Sequence, residues 1–164
     1  MTEPVAAFCA KVLIDLSLDA FIFLDLNNIR YCCGFTGTDG AYIFAPERDC
    51  FLSDSRYLEQ SRQQVRATQQ ICYLNKYDSI VSTLKDFGYK KVGFEADSLS
   101  VSQLQELTQR SQGQINWVPV TDHIRPLRGI KTDAELALLQ QAAELNAAAF
   151  AEIEPLIKPG ASEK

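Results

Sequence analysis

Histidine is the narrowest chemical supply in this sequence, because His123 is the only one among 164 residues. Most zinc sites, Ser-His-Asp triads and Cys-His dyads need a histidine held by further placed groups, so each would have to pass through His123. It lies in Thr121-Asp122-His123-Ile124-Arg125-Pro126, and neither a G-x-S-x-G turn nor an H-E-x-x-H helix occurs. A surface or capping histidine is the expectation. The five cysteines, Cys9, Cys32, Cys33, Cys50 and Cys72, form no C-x-x-C pair, and their number is odd. That excludes a disulfide framework and a zinc ribbon, and it leaves the adjacent Cys32-Cys33 pair as two small buried hydrophobes.

The third chemically distinctive stretch is Asn28-Ile29-Arg30-Tyr31-Cys32-Cys33-Gly34-Phe35-Thr36-Gly37-Thr38-Asp39-Gly40. Its glycines are spaced G-x-x-G-x-x-G between an irregular segment and a strand, whereas a dinucleotide fingerprint needs G-x-G-x-x-G between a strand and a helix. Phosphate cradling is therefore not expected. The residues read as a loop whose glycines permit positive φ and close backbone approach, with Tyr31 and Phe35 packed beneath it. Loops of this kind are also where binding groups collect.

The elements that must position these residues follow from hydropathy patterning. Val5 to Leu18 places Phe8, Val12, Ile14 and Leu16 among small and charged residues and reads as a helix. Ala20–Leu24, Ala41–Ala45 and Cys50–Leu52 are apolar runs of strand length, the last two forming a hairpin across Pro46-Glu47-Arg48-Asp49. Helices and strands then alternate, the pattern of parallel pairing through crossovers. Asp54 caps a helix carrying Tyr57, Leu58 and Val65; Ile71–Leu74 is a strand; Asp78 caps a helix that Gly88 stops. Lys91–Glu95 is a strand, Ser100 with Gln103 is a capping box, and Ile115–Val118 closes the series. A second capping box, Thr132 with Glu135, opens a long Ala- and Leu-rich helix that runs toward Pro155. The fold class is α/β: a mixed β-sheet flanked by helices, with a long C-terminal linker helix.

Composition agrees with one compact globular domain, 46% apolar and 23% charged. Sixteen Lys and Arg against 21 Asp and Glu leave a net charge of −5, which argues against nucleic acid and anionic membranes as partners. Met1-Thr2-Glu3-Pro4 lacks the basic start of a signal peptide, and no apolar run approaches the roughly 20 residues of a membrane span. A reducing, cytoplasmic setting is expected. Pro159-Gly160 is a turn signal with no element after it, from which a cut chain is expected.

Read whole, Asn28–Gly40 resembles the N-I-R-Y-x-x-G-F-T-G-x-x-G stretch of the Xaa-Pro peptidases, proline dipeptidase and aminopeptidase P, relatives of creatinase. The likeness continues through Phe51-Leu52-Ser53-Asp54-Ser55-Arg56-Tyr57, similar to that family's strand ending in D-x-R-Y, and through Val92-Gly93-Phe94-Glu95. Ile124 to Glu135 resembles the I-R-x-x-K-x-x-x-E linker into the peptidase domain. The resemblance implies a ribonuclease-H-like, creatinase-type N-terminal domain over residues 1–126. It implies that residues 127–164 are a linker helix and the start of a truncated pita-bread catalytic domain. In that family two divalent metal ions, manganese, cobalt or zinc, are held by two Asp, one His and two Glu of the catalytic domain. This chain is therefore expected to hold no metal ligand and no catalytic residue of its own, while its parent is a hydrolase. The resemblance also implies a homodimer in which this domain narrows a neighbour's active site to short proline-containing peptides. The substrate contacts it implies are Phe35, Thr38, Asp39, Arg56 and Tyr57, with Arg56 facing a carboxylate and Phe35 or Tyr57 walling an apolar proline pocket. Two other readings stand beside it: a free-standing small-molecule-binding or oligomerisation module, and the N-terminal domain of a creatinase-like amidinohydrolase.

Overall fold

A computed structural model describes residues 3–122 and 124–162, so the reading of His123 lies outside the described residues. In chain order the elements are α1 (Glu3–Leu16), β1 (Ala20–Phe23), α2 (Leu26–Cys33), β2 (Ala41–Phe44), β3 (Cys50–Ser53), a 3-10 turn at Ser55–Tyr57, α3 (Leu58–Gln64), β4 (Gln69–Cys72), α4 (Lys76–Asp86), β5 (Lys91–Glu95), α5 (Val101–Ser111), β6 (Asn116–Val120), α6 (Arg125–Gly129), α7 (Asp133–Ile153) and a second 3-10 turn at Glu154–Leu156. The chain divides into two compact units, one ending at Leu127 and one beginning at Arg128.

In the first unit six strands form one mixed sheet in the order β4-β3-β2-β1-β5-β6. β1-β2 and β2-β3 pair antiparallel, the latter being the expected hairpin, while β3-β4, β1-β5 and β5-β6 pair parallel. Every residue of β1, β2 and β3 is buried. Their unbroken apolar runs are what a strand covered on both faces requires. Alternate side chains sort to opposite faces: Phe21, Phe23, Tyr42 and Phe51 join α1 and α2 on one side, and Ala20, Ile22, Ile43 and Leu52 join α4 and α5 on the other. Each fully buried Phe, Ile or Leu contributes about 1.5–3 kcal/mol.

The helices meet this sheet through short apolar stripes. α1 buries Val5, Cys9 and Leu13 at i, i+4 and i+8, whereas Ile14 and Leu16, expected on its apolar face, are exposed. Cys9, Cys32, Cys33 and Cys50 are buried free thiols, and burial pushes Cys33 up to about 11, so these side chains pack as hydrophobes. α4 starts from Asn75, whose side chain accepts the Asp78 backbone N–H. Asp78, expected at the cap, sits three residues inside. The capping box at Ser100 and Gln103 is formed as expected. In the second unit the box at Thr132 and Glu135 opens the 21-residue α7.

One segment departs from the sequence expectation in kind. Residues 26–33 are helical, not loop: the Asp25 carboxylate caps the Asn27 and Asn28 N–H groups, and Gly34 closes the helix at φ +88°. The turn from β1 into α2 is pinned by Glu95 at the end of β5. Its Oε2 accepts the Leu24 and Asp25 N–H groups at 2.6 and 2.7 Å, and its Oε1 accepts Asn28 Nδ2 at 2.6 Å. Burial pushes this carboxyl up, against the three hydrogen bonds that favour its charged form.

Glu95→Ala would leave the half-buried Leu24 and Asp25 N–H groups without their acceptor and is expected to lower stability by about 2–4 kcal/mol in urea unfolding. The isosteric Glu95→Gln costs less and isolates the titration. A carboxyl whose folded pKa lies above its ordinary value of 4.5 favours folding most when protonated. Stability therefore falls as pH rises from 4.5 through the folded pKa, and Glu95→Gln removes that slope.

Candidate functional site

The strand pairings place the start of β2 and the ends of β1, β3, β4, β5 and β6 along one edge of the sheet. In open α/β sheets the carboxyl ends of strands are where ligands bind. The structure brings all five residues singled out in the sequence to this edge, on the connection before β2 and the turn after β3. Phe35, Thr38, Arg56 and Tyr57 form one hydrogen-bonded and stacked patch, and Asp39 follows Thr38 on the same loop.

Phe35 lies at its base, only 1% exposed. Its ring stands 4.6 Å from that of Phe51 and meets Tyr57 edge-on at 5.4 Å between centroids. The aromatic surface that faces outward is therefore that of Tyr57. Thr38 Oγ1 and the Tyr57 hydroxyl share a hydrogen bond at 2.5 Å. Between them Gly37 leaves no room for a side chain: a Cβ there would collide with Phe35 and stand 2.9 Å from Tyr57 Cδ1. Thr36 anchors the loop to α3, its N–H and hydroxyl both donating to Gln64 Oε1 at 3.1 and 3.0 Å.

Two ion pairs complete the patch. The Asp54 carboxylate caps the 3-10 turn through the Arg56 N–H at 2.9 Å and takes the Arg56 side chain through Nε and Nη2, the latter at 2.6 Å. The Arg56 side chain is 69% exposed, and its guanidinium carbon stands 5.4 Å from the Tyr57 ring centroid. The hydrogen bond from Arg56 holds the Asp54 carboxyl below its usual range. An acid at the turn's start also offsets the unfavourable position of Arg56 against the backbone dipole.

Asp39 is held from farther along the chain: Tyr73 donates to its Oδ2 at 2.6 Å and Lys76 Nζ to its Oδ1 at 2.7 Å. Burial works to raise this carboxyl, but the Lys76 and Tyr73 hydrogen bonds and the Lys76 charge outweigh it, and the net direction is down. Tyr73 and Lys76 escaped the sequence reading. Nothing local marks them, since 34 and 37 residues separate them from Asp39.

Fold and patch together define an α/β domain with an open mixed sheet and a polar, charge-paired surface at its strand ends. The family model described as "Creatinase/Prolidase N-terminal domain" matches residues 9–130, and the chain belongs to that family. It is 31% identical over 149 residues to the "Uncharacterized peptidase YqhT" of Bacillus subtilis (strain 168), a match covering 90% of this chain and 42% of that protein. The solved "Xaa-Pro dipeptidase from Bacillus anthracis" is 29% identical and superposes with a TM-score of 0.87 over 96% of this chain and 44% of its own. The N-terminal domain of "cytoplasmic peptidase PepQ" from Mycobacterium tuberculosis H37Rv, 24% identical, covers 77% of this chain and 99% of its own and has a TM-score of 0.71, a likeness of fold. This chain thus spans less than half the length of the first two. Among the described residues no three His, Cys, Asp or Glu side chains gather into a group able to hold a metal ion. The residues present do not fit the pair of divalent ions that the family resemblance implies for its catalytic domain. Among the described residues, no helix is long and apolar enough to cross a membrane.

Gly37→Ala is expected to lower the melting stability by about 1–3 kcal/mol, because the added methyl must displace Phe35 or Tyr57. Asp39, with its folded pKa below the ordinary 3.8, stabilises the fold above 3.8, and that contribution is lost as pH falls through the folded value. Asp39→Asn should therefore shrink the acid-side loss of stability in a pH series of thermal melts.

Proposed function

We propose that this chain is the N-terminal, non-catalytic domain of a metal-dependent, cytoplasmic Xaa-Pro peptidase, a dipeptidase or aminopeptidase P. In this reading residues 1–126 assemble against a second subunit and shape its substrate site, and residues 127–164 lead into the catalytic domain. The single observation that carries it is the match to the Bacillus anthracis Xaa-Pro dipeptidase across nearly all of this chain and 44% of that one. In this reading the manganese, cobalt or zinc ions belong to the catalytic domain, and among the described residues of this chain no group of three metal-ligating side chains gathers.

Within this role the patch supplies substrate contacts. Arg56 presents a guanidinium whose Nη1 is not used by Asp54, suited to a substrate carboxylate. Tyr57 offers an aromatic wall for a proline ring, backed by Phe35 and tied by the Thr38 hydroxyl, while Asp39 presents a carboxylate clamped by Tyr73 and Lys76. α7 supports the assembly role: Leu136, Leu139, Phe150 and Ile153 are between 52% and 62% exposed, an apolar run that calls for a partner.

The chain by itself, supplied with manganese and alanyl-proline, is expected to show no turnover; metal-dependent hydrolysis by these 164 residues would contradict the reading. In the full-length protein Arg56→Ala should raise KM for an Xaa-Pro dipeptide about tenfold, the loss of one charge-assisted hydrogen bond, with kcat little changed. In sedimentation the chain alone should self-associate, and Leu139→Glu with Phe150→Glu in α7 should return it to monomer.

A further inference from the structure

The two ion pairs at the strand ends are one electrostatic unit. Asp54 is held down partly by Lys76 as well as by Arg56. Asp39 feels Asp54, and Arg56 feels Asp39. Two carboxylates and two cations sum to zero, so the guanidinium that faces outward acts in a neutral setting only while Lys76 compensates Asp39. Lys76 sits at the start of α4 with its side chain 23% exposed, and its ammonium is spent on Asp39 at 2.7 Å. It is placed to act through Asp39 and not by touching a ligand.

We infer that Lys76 is a specificity-setting positioning residue: by cancelling the Asp39 charge it keeps the Arg56 guanidinium able to select ligands that end in a carboxylate over the same ligands amidated. This rests on the reading of Arg56 as a carboxylate contact. Removing the ammonium would leave a net negative charge beside Arg56 and repel an incoming carboxylate. Removing the Asp39 charge instead would leave a net positive one and attract it. For unit charges interacting near a protein surface the effect is about three- to tenfold. A merely structural clamp would make the two removals act alike, since either breaks the same bond.

The test is the ratio of kcat/KM for alanyl-proline to that for alanyl-prolinamide in the full-length protein, for wild type, Lys76→Gln, Lys76→Arg, Asp39→Asn, the Lys76→Gln/Asp39→Asn pair and Arg56→Gln. Lys76→Gln should lower the ratio about three- to tenfold and Asp39→Asn should raise it. The double variant and Lys76→Arg should lie near wild type, and the shifts should shrink at 1 M salt. If Lys76→Gln and Asp39→Asn move the ratio in the same direction, or neither moves it while Arg56→Gln does, the role assigned to Lys76 is overturned. If Arg56→Gln leaves the ratio unmoved, the underlying reading of Arg56 fails instead. Should Lys76→Gln fold poorly, Lys76→Met together with the Asp39→Asn arm keeps the sign test intact.

Discussion

The constraint on which the rest depends is the burial of β1, β2 and β3 on both faces. With Phe21, Ile22, Tyr42, Ile43, Phe51 and Leu52 all enclosed, the centre of the sheet has no room for uncompensated polar groups. Polar side chains are displaced to the strand ends, where backbone pairing stops and donors and acceptors need partners. Glu95 shows the rule at its strictest: 2% exposed, it is tolerated because three donors converge on it, and in return it fixes the turn into α2.

The Phe35–Asp39 loop and the Ser55–Tyr57 turn inherit their geometry from this arrangement. They follow α2 and β3 respectively, and the register of β2 against β3 brings Gly40 and Ser53 to the same edge. Apolar rings beneath the surface and paired charges above it then leave little freedom. Gly37 is tolerated only because it lacks a side chain, Thr38 is tied to Tyr57, and Asp39 is clamped from two sides. A patch so fully cross-braced is preorganised, and such surfaces recognise ligands at low ordering cost.

What was legible in the sequence had local signals. The central strands show as continuous apolar runs, and the capping boxes at Ser100 and Thr132 lie within three residues of their partners. α2 was missed because Leu26-Asn27-Asn28-Ile29-Arg30-Tyr31-Cys32-Cys33 is short and half polar, and its boundaries, Asp25 and Gly34, carry the residues of turns. β4 shifted from Ile71–Leu74 to Gln69–Cys72 because an edge strand need not be apolar, and Leu74 projects into solvent instead. The five site residues came from the family resemblance, and the structure supplies what residue types do not: Phe35 is a buried support, and Asp39 depends on Tyr73 and Lys76 from a distant connection.

Under the proposed function, the strand-end patch is the place where this domain would meet substrate. A crystal structure of the full-length protein with a bound Xaa-Pro dipeptide, or its non-hydrolysable analogue, tests that most directly. The expected result is the Arg56 guanidinium within hydrogen-bond distance, about 2.7–3.2 Å, of the ligand carboxylate in a neighbouring subunit, with the Tyr57 ring against the proline. A ligand bound far from Arg56, with the Phe35–Asp39 loop facing solvent, would contradict it.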